Sequence, residues 1–462
     1  MAHYSDTICA PASGSGGAVA LIRVSGPSAL AAADAVVAFR NGTASSAKGY
    51  SLKFGSIAGV DDVLVSIFRA PHSYTGEDSV EITCHASSYI VSRILDLLVE
   101  AGCRLAGPGE FTQRAFVGGK MDLAQAEAVA DVIASSSEVE HRVAMNQMRG
   151  GYSAELRGIR DEMTQLAALL ELELDFSEEE VEFADRERLM SLCVSAGEHC
   201  SRLSDSFRYG NAVKNGVPVA IVGAPNSGKS TLLNALLGDD RAIVSDIPGT
   251  TRDTIEEVCV LGGVKFRFID TAGLREASDL VEKMGIERSY AALEKAQVVI
   301  GVVDGSAASA AADGAEIASK VNRGQKLILC YNKSDLGSPA AAEIDAQGCS
   351  GKGRGIPTHS MVCRISAKTG AGLDGLRSAL ASAAGPLDGS ETLVTNARHA
   401  SALSAAATSL ALVRDGLRSG LPGDLVAEDL RAAIGSLNEI LGEDITANDV
   451  LGEIFGRFCI GK

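Results

Sequence analysis

Hydrophobic residues change their spacing along the 462-residue chain, and these changes divide it into segments. In the middle of the chain, short apolar runs alternate with helical stretches, a pattern typical of a doubly wound, mostly parallel sheet. These runs are residues 217–222, 264–269, 298–303, 326–331 and 361–365. We therefore predict an α/β domain over residues 216–380.

Helical periodicity flanks this domain on both sides. Apolar residues recur at steps of three and four from Leu156 to Leu170, and leucines recur at steps of seven from Leu403 to Leu417. Such stripes are typical of the packed faces of a helix bundle, so they indicate core packing rather than chemistry. We predict that residues 121–215 and 381–462 form one helical domain that the α/β domain interrupts.

The first 120 residues predict a separate domain of mixed α and β structure. Apolar runs rich in β-branched residues occupy positions 19–24, 63–68 and 80–84, and glycine-containing stretches separate them. We therefore expect an N-terminal α+β domain over residues 1–120.

A phosphate-binding motif follows the first apolar run of the α/β domain. Residues 223–230 read Gly-Ala-Pro-Asn-Ser-Gly-Lys-Ser, which fits the G-x-x-x-x-G-K-S pattern between a predicted strand and a predicted helix. The glycines allow backbone amides to point at phosphate oxygens, and the helix N-terminus adds positive potential. Lys229 can supply a charge to the β- and γ-phosphates, and the Ser230 hydroxyl can ligate Mg²⁺.

Three later motifs follow strands in the order typical of a Ras-like P-loop G domain. In residues 270–273 (Asp-Thr-Ala-Gly), the Asp270 carboxylate can hold Mg²⁺ through water and the Gly273 amide can sense the γ-phosphate. Residues 366–368 (Ser-Ala-Lys) can donate backbone hydrogen bonds to the guanine oxygen. Residues 332–335 (Asn-Lys-Ser-Asp) end in a carboxylate that accepts both donors of the guanine edge, which adenine cannot offer. The predicted GTP contacts are Asn226, Ser227, Gly228, Lys229, Ser230, Thr231, Ser245, Asp246, Ile247, Pro248, Gly249, Thr250, Thr251, Asp270, Thr271, Ala272, Gly273, Asn332, Lys333, Asp335, Ser366, Ala367 and Lys368.

The motifs leave open which groups drive hydrolysis. Leu274 stands where Ras-like switches place a water-orienting glutamine, so another polar group must act, and Glu282 is the candidate. The alternative for Glu282 is a solvated helix glutamate. Thr251 can complete the Mg²⁺ shell, while Arg252 is either an arginine finger or one half of a switch-loop ion pair. The remaining alternative is a monovalent cation held by Asn226 and the loop 245–250.

Composition narrows the class of protein. The net charge of −17 disfavours coating of nucleic acid by this chain alone, because an acidic surface repels phosphate. The ten cysteines form no C-x-x-C pair, which predicts reduced thiols and a cytoplasmic protein. We see neither a secretory signal nor an apolar stretch long enough to cross a bilayer, so we expect no membrane association.

Four segments outside the G domain resemble the MnmE (TrmE) family of tRNA-modifying GTPases. The resemblance runs from end to end, and these segments are its most specific parts. They are residues 73–82 (Ser-Tyr-Thr-Gly-Glu-Asp-Ser-Val-Glu-Ile), 108–116 (Pro-Gly-Glu-Phe-Thr-Gln-Arg-Ala-Phe), 119–131 (Gly-Lys-Met-Asp-Leu-Ala-Gln-Ala-Glu-Ala-Val-Ala-Asp) and 458–462 (Phe-Cys-Ile-Gly-Lys).

The resemblance implies a tetrahydrofolate-binding and dimerisation domain at residues 1–120, a helical domain at 121–215 and 381–462, and an inserted G domain at 216–380. It implies K⁺-dependent pairing of G domains, with Mg²⁺ on Ser230 and Thr251. It assigns the catalytic roles to Glu282, which would orient the water, and to Lys229. The implied K⁺ ligands are Asn226, Ser245, Ile247 and Thr250.

The resemblance also implies a folate site and a set of partners. The folate, a 5,10-methylene or 5-formyl tetrahydrofolate, would be bound by Arg23, Glu81, Lys120 and Lys462, and Cys459 would serve the modification chemistry unless it is an ordinary buried thiol. A homodimer would act with the FAD-containing flavoprotein MnmG (GidA) to install an aminomethyl or carboxymethylaminomethyl group at C5 of the wobble uridine of certain tRNAs. The alternative is a ribosome-assembly GTPase, which the G-domain motifs alone fit equally well.

Overall fold

The computed structural model describes residues 5–14, 16–175, 186–238, 257–269, 293–322, 324–337, 360–384, 392–443, 455–456, 458 and 461. These residues separate into two compact units. The first unit contains residues 1–130, 147–189 and 415–462, and the second contains residues 131–146 and 190–414. The predicted domain boundaries differ from this division and stay predictions.

A seven-stranded sheet forms the core of the N-terminal part of the first unit, in the order β3-β4-β5-β6-β2-β1-β7. Neighbouring strands are antiparallel except β1 and β7, which are parallel. Apolar side chains on alternate positions of β2, β5 and β6 form one buried cluster with the first two helices. The strands are β1 (Ile8–Pro11), β2 (Val19–Ser25), β3 (Ala38–Phe39), β4 (Ser51–Ile57), β5 (Asp61–Phe68), β6 (Ser79–His85) and β7 (Arg104–Leu105).

The described part of the chain also contains α-helices, which flank the sheets or pack against one another. Helices α1 and α2 pack on the N-terminal sheet, and α6 packs against α12 within the first unit. The helices are α1 (Ala29–Val36), α2 (Ser88–Glu100), α3 (Glu110–Val117), α4 (Leu123–Ala134), α5 (Glu138–Met148), α6 (Gly151–Asp175), α7 (Arg186–Asn215), α8 (Lys229–Leu237), α9 (Ala310–Ser319), α10 (Leu373–Ala383), α11 (Ala397–Ser419) and α12 (Gly423–Leu441). Within the described residues, no helix has the length and apolar character needed to span a bilayer.

The second unit contains a six-stranded sheet in the order β13-β12-β11-β8-β10-β9. Strand β9 is antiparallel to β10, and every other neighbouring pair is parallel. Side chains of β11 point alternately into a cluster with α8 and α10 and into clusters with α9, so helices cover both faces. The strands are β8 (Val217–Val222), β9 (Glu257–Leu261), β10 (Val264–Phe268), β11 (Val298–Asp304), β12 (Lys326–Asn332) and β13 (Met361–Arg364).

This sheet confirms the predicted doubly wound, mostly parallel α/β architecture, and each of its five predicted strands is present within one residue. The predicted α+β sheet and the helical segments are confirmed as well. The prediction of reduced thiols fails at one position. Seven cysteines in the described part of the chain are buried and form no disulfide bond, whereas Cys363 is disulfide-bonded.

Candidate functional sites

The loop at residues 223–228 connects β8 to α8 in a conformation that its glycines permit. Gly228 has φ +100°, and a Cβ atom there would overlap Nδ2 of Asn332. Asn226 also lies in the left-handed region, at φ +60°, which asparagine tolerates better than most residues. The strand-loop-helix sequence therefore folds into the tight turn that the motif predicts, with α8 starting at Lys229.

Lys229 spans this loop from the first turn of α8. Its Nζ donates to the carbonyl oxygens of Gly223 and Ala224, at 2.8 and 2.9 Å. Partial burial lowers the pKa of Lys229, because burial penalises the charged form. Ser230 and Thr231 lie exposed on the same first turn of α8, where a helix N-terminus adds positive potential.

Asn332, at the end of β12, hydrogen-bonds to two other loops, the one at residues 223–228 and the one at residues 366–368. Its Nδ2 donates to the carbonyl oxygen of Ser227, and its Oδ1 accepts from the amide of Ala367, both at 2.9 Å. The side chain is buried, so losing either partner would leave a polar group unsatisfied. The phosphate-binding loop, residues 332–335 and residues 366–368 are thus held in one arrangement.

Asp335 is exposed in a short 3₁₀ turn, Ser334–Leu336, that follows β12. The Ser366 hydroxyl donates to its Oδ1 at 2.7 Å, and this hydrogen bond lowers the pKa of Asp335. A carboxylate with a lowered pKa stays ionised at neutral pH and can accept two hydrogen bonds from a guanine edge. Lys368 lies exposed nearby and lowers the same pKa further.

Several predicted site residues lie outside the described residues. They are Ser245, Asp246, Ile247, Pro248, Gly249, Thr250, Thr251, Asp270, Thr271, Ala272, Gly273, Glu282, Cys459 and Lys462. Their roles stay predictions. The described residues of the G domain nevertheless bring together the motifs predicted to bind phosphate and guanine.

A second arrangement of charged residues lies on the N-terminal sheet, where Arg23 of β2 faces Glu81 of β6 in the strand register. The Arg23 guanidinium bonds the Glu81 carboxylate at 2.8 Å, and each side chain is only about a fifth exposed. The guanidinium also lies 5.1 Å from the Tyr74 ring centroid and 5.6 Å from that of Phe111. The sequence alone gives no reason to distinguish these charges from surface charges, but the structure leaves both partly buried and places Arg23 against two aromatic rings. Arg23, Glu81, Tyr74 and Phe111 are called the pocket around Arg23 below.

Lys120 contacts the loop that precedes β6, which also carries Tyr74. Lys120 Nζ donates to the carbonyl oxygen of Pro71 at 3.0 Å, and its stem passes next to Gly76. Tyr74, which covers Arg23, belongs to this loop. Residues 71–76 therefore contact two of the residues predicted to bind folate, and a third, Glu81, follows in β6.

A buried arginine joins two of the segments that carry the family resemblance. Arg114 of α3 is fully buried and bonds Asp6 at 2.8 Å, Glu110 at 3.1 Å and Glu77 at 3.4 Å. Burial raises the pKa of Glu110, but hydrogen bonds from Arg104, Gly107 and Arg114 outweigh it and lower the pKa overall. These ion pairs fix α3, and with it Phe111, against the loop that carries Tyr74.

Residues near the C-terminus pack against the same part of the first unit. Phe455 is buried, with ring centroids 5.4 Å from Phe458 and 6.5 Å from Phe116. Gly461 has φ +93°, and a Cβ atom there would overlap the carbonyl oxygen of Pro11. Gly461 therefore lies next to Pro11 of β1, and β1 pairs with β2, the strand that carries Arg23.

Sequence reasoning missed the residues that support both sites. Tyr74, Phe111 and Arg114 were part of the recognised segments, but no spacing rule assigns them to a site. Asp304, at the end of β11, forms an ion pair with Lys333 and was also missed.

Taken together, the sheet, the phosphate-binding loop and the guanine-binding residues define a P-loop protein of the GTP-binding class.

Family models match almost the whole chain. The MnmE helical domain model matches residues 123–459, and the model of the GTP-binding protein TrmE N-terminus matches residues 7–120. The chain belongs to the MnmE family of tRNA modification GTPases.

The chain is similar to full-length relatives and, over part of its length, to solved structures. The tRNA modification GTPase MnmE of Bacteroides thetaiotaomicron is 49% identical over 469 residues, covering 99% of both chains. The protein of the same name from Flavobacterium johnsoniae is 45% identical over 471 residues, also covering 99% of both. The crystal structure of the G domain of the T. maritima FeoB iron transporter is 29% identical and covers 36% of this chain and 98% of its own, with a TM-score of 0.25.

Proposed function

We propose that the chain is a K⁺-dependent GTPase that modifies C5 of the wobble uridine of certain tRNAs together with the FAD-containing flavoprotein MnmG. It would install the aminomethyl or carboxymethylaminomethyl group with a tetrahydrofolate as carbon donor. The observation that carries the proposal is the full-length match to named tRNA modification GTPases, and it is supported by the Asn332–Ser227 hydrogen bond at the predicted GTP site and by the Arg23–Glu81 ion pair at the predicted folate site.

The phosphate-binding loop would hold GTP through contacts that its present arrangement already prepares. Lys229 would exchange its bonds to the Gly223 and Ala224 carbonyls for bonds to phosphate oxygens. The exposed hydroxyl of Ser230 fits a hard cation such as Mg²⁺, and Thr251 would supply the second hydroxyl. Mg²⁺ would neutralise charge that develops between the β- and γ-phosphates. Glu282 would orient the attacking water.

The proposed K⁺ site predicts a salt dependence of hydrolysis. We expect GTPase kcat to be several-fold or more higher in K⁺ than in Na⁺, because oxygens around Asn226 would hold the larger ion where other GTPases place an arginine. The measurement is initial-rate hydrolysis at equal ionic strength in the two salts. Equal rates would remove Asn226 from its role.

Asn226→Gly provides a matched variant for this measurement. Glycine adopts the observed φ of +60° freely, so the loop should keep its shape while it loses the amide oxygen. The variant should show similar rates in K⁺ and Na⁺ and should bind GDP like the unmodified chain.

The pocket around Arg23 supports the proposed folate site by its chemistry. A folate carries a pterin rich in hydrogen-bond donors and a tail of carboxylates. The Glu81 carboxylate suits the donors, while Arg23, Lys120 and Lys462 suit the carboxylates. The aromatic rings of Tyr74 and Phe111 limit the positions that the Arg23 side chain can take.

Gly461→Ala should weaken folate binding without affecting the G domain. Alanine disfavours the φ of +93°, and its Cβ would overlap the Pro11 carbonyl, so the backbone at position 461, directly before the predicted folate ligand Lys462, should shift. We expect the Kd for 5-formyltetrahydrofolate to rise at least about tenfold, measured by equilibrium dialysis. Gly435→Ala, in α12 with open space around it, is the control. An unchanged Kd in Gly461→Ala would separate the C-terminal residues from the folate site.

An exposed apolar patch on the N-terminal sheet supports the proposed homodimer. Phe54 of β4 and Leu64 of β5 face each other in the strand register, and both are about 40% exposed. Leu52 and Tyr50 extend the patch and are more exposed still. Adjacent exposed apolar side chains on a sheet face are typical of an interaction surface, and a second copy of the chain is the proposed partner.

The alternative function is a ribosome-assembly GTPase, and one experiment separates the two. Deleting the gene and analysing tRNA wobble nucleosides by mass spectrometry should show loss of the C5 modification. Unchanged nucleosides, with co-sedimentation of the protein with ribosomal subunits, would instead support the alternative.

The cytoplasmic location follows from the proposed tRNA substrate.

A further inference from the structure

The short turn after β11 contacts the guanine-binding loop at residues 332–335, although no sequence motif assigns it a role. Asp304 is the last residue of β11, which pairs in parallel with β12, and the strand register places it opposite Asn332. The amide of Gly305 donates to the Asn332 carbonyl oxygen at 2.8 Å. The turn at residues 304–306 is therefore fixed directly beside Lys333.

Asp304 bonds Lys333 from this turn. Lys333 Nζ lies 2.7 Å from Asp304 Oδ2, and both side chains are less than a third exposed. The other carboxylate oxygen, Oδ1, accepts from the Ser306 amide at 3.0 Å and from the Ser306 hydroxyl at 2.5 Å. Both oxygens of Asp304 are thus engaged, so the carboxylate is a fixed anchor rather than a mobile surface charge.

The backbone of Lys333 increases the need for such an anchor. Lys333 has φ +62°, in the left-handed region that most residues other than glycine and asparagine disfavour. Backbone strain of this kind persists where surrounding contacts hold it, and it is concentrated at functional sites. Asn332 is fixed by Ser227 and Ala367, and Asp335 by Ser366, so Asp304 completes the support of the loop.

We infer that Asp304 is a positioning residue for guanine recognition. It would act through Lys333, by restricting the rotamers of the four-carbon stem and by neutralising the ammonium beside the base pocket. The inference rests on the proposed placement of guanine at Asp335. A guanine nucleotide should then bind to a lysine already in position, whereas an untethered lysine would have to be ordered on binding.

Asp304→Asn tests the inference in the full-length protein. We expect the Kd for GDP with Mg²⁺ to rise roughly five- to tenfold, measured with a fluorescent GDP derivative, because the charged anchor is lost. In GTP hydrolysis the KM should rise while kcat at saturation stays unchanged. Asp374→Asn, which alters an exposed carboxylate paired with Arg377 on α10, is the matched control and should leave both values unchanged.

A double-mutant cycle with Lys333→Met separates positioning from general destabilisation. If Asp304 acts through Lys333, adding Asp304→Asn to Lys333→Met should not weaken GDP binding further. Additive losses, or an Asp304→Asn variant that binds GDP like the unmodified chain, would overturn the inference. Failure of the unmodified chain to bind GDP would instead refute the proposed nucleotide site.

Discussion

Replacing Asp335 with Asn should weaken GTP binding by about 10³-fold and transfer the preference to xanthosine nucleotides. The Asp335 carboxylate, which the Ser366 hydroxyl keeps ionised, would accept two hydrogen bonds from guanine. An asparagine amide offers one acceptor and places a donor against the guanine donors. Xanthine carries a carbonyl oxygen where guanine carries its amino group, so the asparagine donor then meets an acceptor.

Competition titrations with GTP and XTP measure this change. The control is Asp374→Asn, the same chemical change at an exposed helix position of the same unit. Equal affinity of Asp335→Asn and the unmodified chain for GTP would show that the guanine edge is read by another residue. Loss of GTP binding without gain of XTP binding would indicate that the loop has collapsed rather than changed specificity.

Gly228→Ala should abolish nucleotide binding, with a loss of at least about two orders of magnitude in affinity. The φ of +100° costs an alanine roughly 1–2 kcal/mol. The new methyl group would also overlap the Asn332 amide that bonds Ser227, leaving a buried polar group unpaired at a cost of about 1–3 kcal/mol. Both the phosphate-binding loop and the guanine-binding residues should therefore shift.

Gly337→Ala isolates the contribution of steric overlap. Gly337 has φ +83° in the same unit but has open space where a Cβ would lie. It should therefore bear the cost of a strained backbone without any overlap. Calorimetric titration with GDP, alongside thermal unfolding, measures both variants. Similar affinities for Gly228→Ala and Gly337→Ala would contradict the proposed overlap with Asn332.

The sequence predicts the parts of the G domain that depend on local signals. Apolar runs locate β8, β11, β12 and β13, because buried parallel strands need continuous hydrophobic residues. In β10, apolar residues alternate with Lys265 and Arg267, which is the pattern of a half-buried strand. Strand β4 is missed because its exposed face carries Leu52 and Phe54, which breaks the expected alternation of buried apolar and exposed polar residues. Strands β3 and β7 have two residues each, too few to give a pattern.

The contacts that complete the two sites are not visible in the sequence because they join distant positions. Asn332 reaches Ser227 across 105 residues, and Arg23 reaches Glu81 across 58. Motif spacing indicates that Asn332 belongs near the nucleotide, but only the strand order brings its amide to the phosphate-binding loop. Asp304 has no motif at all, and its contact with Lys333 depends on β11 and β12 being neighbours.

Reconstitution of tRNA modification tests the central claim most directly. The chain, the flavoprotein with FAD, 5,10-methylenetetrahydrofolate, an amine donor, a reductant, K⁺, Mg²⁺, GTP and unmodified tRNA would be combined, and the wobble nucleoside analysed by mass spectrometry. We predict a C5-modified uridine that disappears when GTP is replaced by ATP or when the folate is omitted. Modification that proceeds equally well with ATP, or without folate, would contradict the account.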